Sequence, residues 1–128
     1  MSNAQYQPGV CNIGGAEVAR RKQVALIGAI LFIAFSLLAL LRDFSYLQGA
    51  IAFLPAMVFA IGFIQSRKKF CLAYGFMGTF NFQNLGTLSK VTDKDALRAD
   101  QRTALSIIFQ GLVLALAMTL ALIALLSL

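Results

Sequence analysis

The groups able to do chemistry in this sequence are few, and their spacing narrows what they can do. Asp93, Asp95 and Asp100 fall within one short stretch, DKDALRAD, a pattern loosely like the carboxylate clusters that hold Mg²⁺. At 100° per residue Asp93 and Asp100 share a helix face while Asp95 points to the other side, so the three cannot make one site on a continuous helix. Helix capping and solubility are their expected roles. Cys11 and Cys71 are the only thiols; two cysteines cannot complete a four-ligand zinc or iron–sulfur site, and neither has a second ligand at the usual spacing. His is absent, which removes imidazole bases, imidazole metal ligands and histidine-ligated haem or chlorophyll. Gly14 and Gly15 are a candidate backbone nest for a phosphate, with Arg20 and Arg21 nearby. The sequence therefore calls for no catalytic residue, no metal and no cofactor.

The elements that must carry these residues are unusually apolar. Of 128 residues, 59% are hydrophobic and 12% charged, against about 25% charged in an ordinary soluble domain. The charges are clumped: 19 uncharged residues separate Lys22 from Arg42, 23 separate Asp43 from Arg67, and the 26 after Arg102 carry no charge. Each run reaches the roughly 20 residues needed to cross about 30 Å of hydrocarbon. An all-α integral membrane protein with three transmembrane helices is expected.

Residues 1–15 read as a polar tail with a Pro8-Gly9 turn. Residues 16–41 form the first expected span, with Glu17 in its first turn, where a carboxylate suits the helix dipole. A basic start before an apolar run also fits a secretory signal peptide, but this apolar stretch is too long and lacks a cleavage site, so it reads as a retained anchor. The second span is expected at 44–66, with a kink near Pro55.

Residues 67–91 are the ambiguous part. They are uncharged from 70 to 89 and allow either a fourth span or an interfacial or re-entrant segment with Phe70, Tyr74, Met77 and Phe80 dipping into the membrane surface. Charge decides between them, because Lys and Arg in short loops gather on the cytoplasmic side. Three spans place ten of the eleven basic residues on that side, leaving Arg42 outside; four spans leave the two sides nearly equal. Three spans follow, with the N terminus cytoplasmic and the C terminus outside. In residues 92–128, Thr92 is the expected N-cap, with Asp95 three positions later, and a cytoplasmic stalk runs directly into the third span.

Arg20, Arg21, Lys22, Arg67, Lys68, Lys69, Arg98 and Arg102 are the candidate contacts to lipid head groups; Lys94, Arg98 and Arg102 form one basic stripe along the stalk. Small residues at four-residue spacing mark candidate packing faces: Ala25 and Ala29, then Ala52, Ala56 and Ala60, then Gly111, Ala115 and Thr119. The spans offer no ionisable side chain of the kind that proton-coupled transporters place in the membrane.

Two stretches, CNIGGAEVARRK at 11–22 and FCLAYGFMGTFNF at 70–82, resemble a group of small uncharacterised bacterial membrane proteins. These carry a CNIG start before a basic AE(I/V)xRR helix and an FCxxxG…GxFNF segment after the second span. The resemblance implies no particular activity. It does imply a bacterial inner membrane and a shared cytoplasmic cap of Cys11, Asn12, Gly14, Cys71, Gly78, Asn81 and Phe82. The expected function is a non-enzymatic accessory or scaffold subunit of a larger inner-membrane complex. A homo-oligomeric passive pore or small transporter is the alternative, and a lipid, quinone or pigment binder a third. Its expected partners are the lipid bilayer and other membrane subunits or further copies of itself, with no nucleic acid.

Overall fold

Twenty-seven consecutive helical residues form α1 (Gly15–Leu41) in the computed structural model, which describes residues 6–83, 85 and 88–128. Parts of the expected tail and interfacial segment, residues 1–5, 84, 86 and 87, lie outside the described residues. A tight turn through Arg42 and Asp43, the latter left-handed at φ 51°, leads to α2 (Tyr46–Gly49). Ser45 starts α2 with a complete capping box: its hydroxyl accepts from the Gln48 amide, and the Gln48 side chain accepts from the Ser45 amide. Two otherwise unmet donors are satisfied at once.

The second long helix is not uniform. A 3₁₀ turn at Ala50–Ala52 joins α2 to α3 (Phe53–Lys68). The irregularity expected at Pro55 thus falls on the turn before it, where the ring would crowd the carbonyl four residues back and where a 3₁₀ turn rearranges the hydrogen bonding. Lys69 then ends α3 in a left-handed conformation, its amide bonded to the Gln65 carbonyl.

α4 (Leu72–Met77) and a two-residue antiparallel ribbon, β1 (Thr79–Phe80) with β2 (Ser89–Lys90), follow. The last helix, α5, is Lys94–Leu126. Its N-cap is Asp93 rather than the expected Thr92: the Asp93 carboxylate accepts from the Ala96 amide at 3.1 Å, adding a charge–dipole term that a hydroxyl lacks.

Three helices, Gly15–Leu41, Tyr46–Lys68 and Lys94–Leu126, are long and apolar enough to cross a membrane. α3 packs against both α1 and α5, which barely meet each other. Neighbours run antiparallel, so the start of α1, the end of α3 and the start of α5 share one end of the bundle, here termed the cap end. Between the helices the core is made largely of small residues, with Ile64, Ile107 and Leu122 as larger buried ones. Ala52, Ala56, Ala60 and Ala115 are fully buried, with Phe32, Phe53 and Met118 packed around Ala56, Ala60 and Ala115. Thr119 spends its hydroxyl on the Ala115 carbonyl of its own helix, at 2.8 Å. The bulky residues face outward: Leu26, Ile30, Ile33 and Leu37 of α1 are each more than half exposed. Such an inside-out distribution suits a hydrocarbon surrounding, where packing of small residues supplies helix association.

α1 and α3 approach closely at Gly28 and Gly62. Ala29 of the expected packing pair is only half-buried, while Gly28 is buried. A Cβ on Gly28 would stand 2.4 Å from the Phe59 amide nitrogen, and one on Gly62 would stand 2.8 Å from that of Ala25. At Gly111 of α5 the nearest atoms belong to the Ile61 side chain, with the Ile61 backbone nitrogen further off at 4.0 Å.

Candidate functional site

Polar side chains in this fold converge at the cap end. Residues 12–14 run as a short extended stitch between the end of α3 and the strand after α4. Both ends of the Asn12 amide are used on the Cys71 backbone: Oδ1 accepts from the Cys71 amide at 2.7 Å, and Nδ2 donates to the Cys71 carbonyl at 3.1 Å. The Asn12 backbone amide donates to the Lys69 carbonyl, and its carbonyl accepts from the Asn81 amide. The Gly14 amide then donates to the Asn81 carbonyl at 2.8 Å, closing a parallel bridge between Ile13 and Asn81. Gly14 has a steric reason to be glycine, since a Cβ would come within 3.0 Å of the Phe82 backbone.

Beneath this stitch lies Glu17, 1% exposed. Its carboxylate takes three donors from three parts of the chain: Arg21 donates to Oε1 at 2.9 Å, while the Tyr74 hydroxyl and Asn81 Nδ2 donate to Oε2 at 2.6 and 3.1 Å, and the dipole of α1 favours the charge as well. Arg21 also donates to Cys71 Sγ at 2.9 Å and lies over the Tyr74 ring. Burial raises the Tyr74 phenol above its usual value, and the carboxylate it serves raises it further, so it stays a proton donor at neutral pH. Glu17 is therefore the centre of the cap rather than a simple dipole partner, and Arg21 points inward instead of toward lipid head groups.

A second buried carboxylate fastens the N-terminal segment. Asp100 of α5, wholly buried, accepts from the Tyr6 hydroxyl at 2.5 Å and from the Gly9 amide at 2.7 Å. Thr103, one turn further along, donates to the Gly9 carbonyl at 2.6 Å. Tyr6 stacks on Phe80 with ring centres 4.7 Å apart, and its phenol is pushed up by burial and by the Asp100 carboxylate. The expectation that Asp100 serves only stalk solubility is corrected: its face also carries Ala96, Ala104 and Ile107, all buried.

Asp100→Ala should leave the Tyr6 hydroxyl and Gly9 amide without their acceptor. A loss of about 1–3 kcal/mol is expected, with faster amide exchange at Gly9 and unchanged helix content by circular dichroism. Unchanged exchange at Gly9 would mean that the strap is held elsewhere.

The segment between α3 and α5 packs inward more than the sequence suggested. Phe70 is fully buried against Ile64, Ala104 and Ile107, and Tyr74 is committed to Glu17; Phe76, Met77, Leu85 and Leu88 are exposed. Gly75 lets Phe70 and the Asp100 carbonyl approach, since a Cβ there would meet them at 2.8 and 3.0 Å. Gln65 accepts from the Leu72 amide at 2.9 Å, capping α4 from the neighbouring helix.

Of the seven residues expected in one cap, Asn12, Gly14, Cys71, Asn81 and Phe82 meet in the stitch. Gly78 instead turns α4 into β1 at φ 72°, beside Leu97 of α5. Cys11 lies at the edge, its thiol raised by burial and bonded to the Ile13 carbonyl. Arg20, Lys22, Arg67, Lys68, Lys69, Arg98 and Arg102 are exposed. Among the described residues no three of His, Cys, Asp or Glu gather closely enough to hold a metal ion. No protein-family pattern, curated protein or solved structure matches this chain significantly.

Proposed function

We propose that this chain is a non-enzymatic membrane subunit, an accessory or scaffold element of a larger inner-membrane assembly, with the cap end and N terminus cytoplasmic and the C terminus outside. One observation carries the reading. Its buried carboxylates, Glu17 and Asp100, are both consumed in fastening the cap to the bundle, while the outward faces of the three long helices are broad and apolar. Catalysis or ion relay needs an acid or base free to exchange a proton; a scaffold needs a rigid body with surface left to offer. The orientation follows from the ten basic residues clustered at the cap end against Arg42 at the other. In this setting the segment between α3 and α5 rests at the membrane surface and does not cross it.

The test is mild-detergent or polymer extraction of a tagged chain from native membranes, followed by mass spectrometry of what co-purifies. Stoichiometric membrane subunits are expected; recovery as a lone monomer, with its mass accounted for by one chain and lipid, would overturn the assignment.

A further inference from the structure

A cleft of about 440 Å³ opens at the cap end between the N-terminal loop and the end of α3. One wall is cationic, formed by Arg67, Lys68 and Lys69. None of these three makes a salt bridge among the described residues, where the single ion pair joins Arg21 to Glu17. Arg67 keeps only the face of the Phe63 ring, 5.8 Å from its guanidinium carbon. The rest of the lining is mixed: Gln7 and Cys11 are polar, while the exposed Val10 and the half-buried Val18 supply apolar surface. Gly14, the N-cap of α1, lines the cleft as well and provides no side-chain cap. Gly15, which also lines the cleft, has no steric need to be glycine: a Cβ there would meet nothing within 4 Å. Its missing side chain leaves room in the cleft.

Three cations without an ion pair, lining one cleft with exposed apolar surface, select a ligand that is anionic at one end and apolar at the other. We propose that this cleft binds a phosphate ester, with Arg67, Lys68 and Lys69 on the phosphate and Val10 and Val18 against its apolar part. Phosphate presents several acceptor oxygens to such a set, and Arg67 can meet two of them with its planar fork. The ester is either the head group of an anionic phospholipid or a soluble organic phosphate. The site stands on the geometry of the cleft, independent of whether the chain serves as an accessory subunit.

Native mass spectrometry on the purified full chain tests it, with dioleoyl phosphatidic acid in phosphatidylcholine nanodiscs as one probe and monohexyl phosphate in detergent as the other. The wild type should retain one of the two, and which one it retains names the source. Arg67→Gln with Lys69→Asn, the Asn chosen because it tolerates the left-handed backbone at that position, should weaken retention about 25-fold, at roughly 1 kcal/mol per removed cation. Gly15→Leu, which adds no charge change, should also reduce retention by filling the cleft, and it gives an independent reading should the double variant fold poorly. Arg42→Gln with Lys90→Gln removes the same charge from exposed positions that do not line the cleft and should leave retention within twofold. Failure of the wild type to retain either probe, or equal loss in this control variant, would overturn the proposal.

Discussion

Glu17→Ala is expected to cost roughly 3–5 kcal/mol, the usual range for breaking a buried ion pair by removing one partner, and to free the cap while the three long helices stay formed. The cost comes from what is left behind. Arg21, with a side chain only 13% exposed, loses its carboxylate, and Tyr74 and Asn81 lose the acceptor they share. Glu17→Gln can keep the single oxygen that Tyr74 and Asn81 share but puts an uncharged NH2 where Arg21 donates, so it should fall between alanine and wild type. Unfolding in detergent followed by circular dichroism measures the stability. Trypsin reports the cap through faster cleavage after Lys69 and Lys90, which flank the segment that Tyr74 and Asn81 anchor. Stability and cleavage within error of wild type for the alanine variant would mean that the stitch of Asn12, Gly14 and Asn81 holds the cap without the carboxylate.

The three long helices were legible because hydropathy is a one-dimensional signal: an uncharged run of the right length reads as a span whatever it packs against. The cap was legible only in part. Asn12, Cys71 and Asn81 stood out through the resemblance, but Glu17, which takes Asn81, Tyr74 and Arg21 together, had a sufficient local explanation at a helix N-terminus. Its position four residues before Arg21 was the available clue to a pair, while Tyr74 lay in a segment with no periodicity to orient it. Asp100 could have been placed. Extending the small-residue stripe of Gly111, Ala115 and Thr119 backward by helical steps passes through Ile107, Ala104 and Asp100, which puts that acid on the buried face. What no local pattern carries is the partner of a buried carboxylate more than ninety positions away, as with Tyr6 and Asp100. Long-range hydrogen bonds depend on topology, and topology is not periodic.

Gly28→Ala and Gly111→Ala look like the same substitution on two helix faces, yet their effects are expected to differ in sign. The added carbon would stand 2.4 Å from its nearest neighbour at Gly28 and 2.5 Å at Gly111. At Gly111 that neighbour is Ile61 Cδ1, the tip of a side chain that can rotate away. At Gly28 it is the Phe59 amide nitrogen, with the Phe59 Cα at 2.8 Å and the Val58 carbonyl carbon at 3.0 Å. Backbone atoms inside a helix cannot yield singly, so α1 and α3 must move apart. Alanine gains about 1 kcal/mol of helix propensity over glycine at either site. Gly111→Ala should therefore be neutral or slightly stabilising, whereas overpacking at Gly28, typically 1–3 kcal/mol, should give a net loss. Gly28→Val should lose more, since both of its γ-carbons enter the same crossing. The crossing also positions the cap: Gly62 sits 3.0 Å, at its missing Cβ, from the carbonyl oxygen of Arg21, one turn beyond Glu17. Separating the helices at Gly28 should consequently raise trypsin cleavage after Lys69 as well as lower the unfolding midpoint. Equal effects of alanine at the two glycines would show that the α1 and α3 backbones are not in contact.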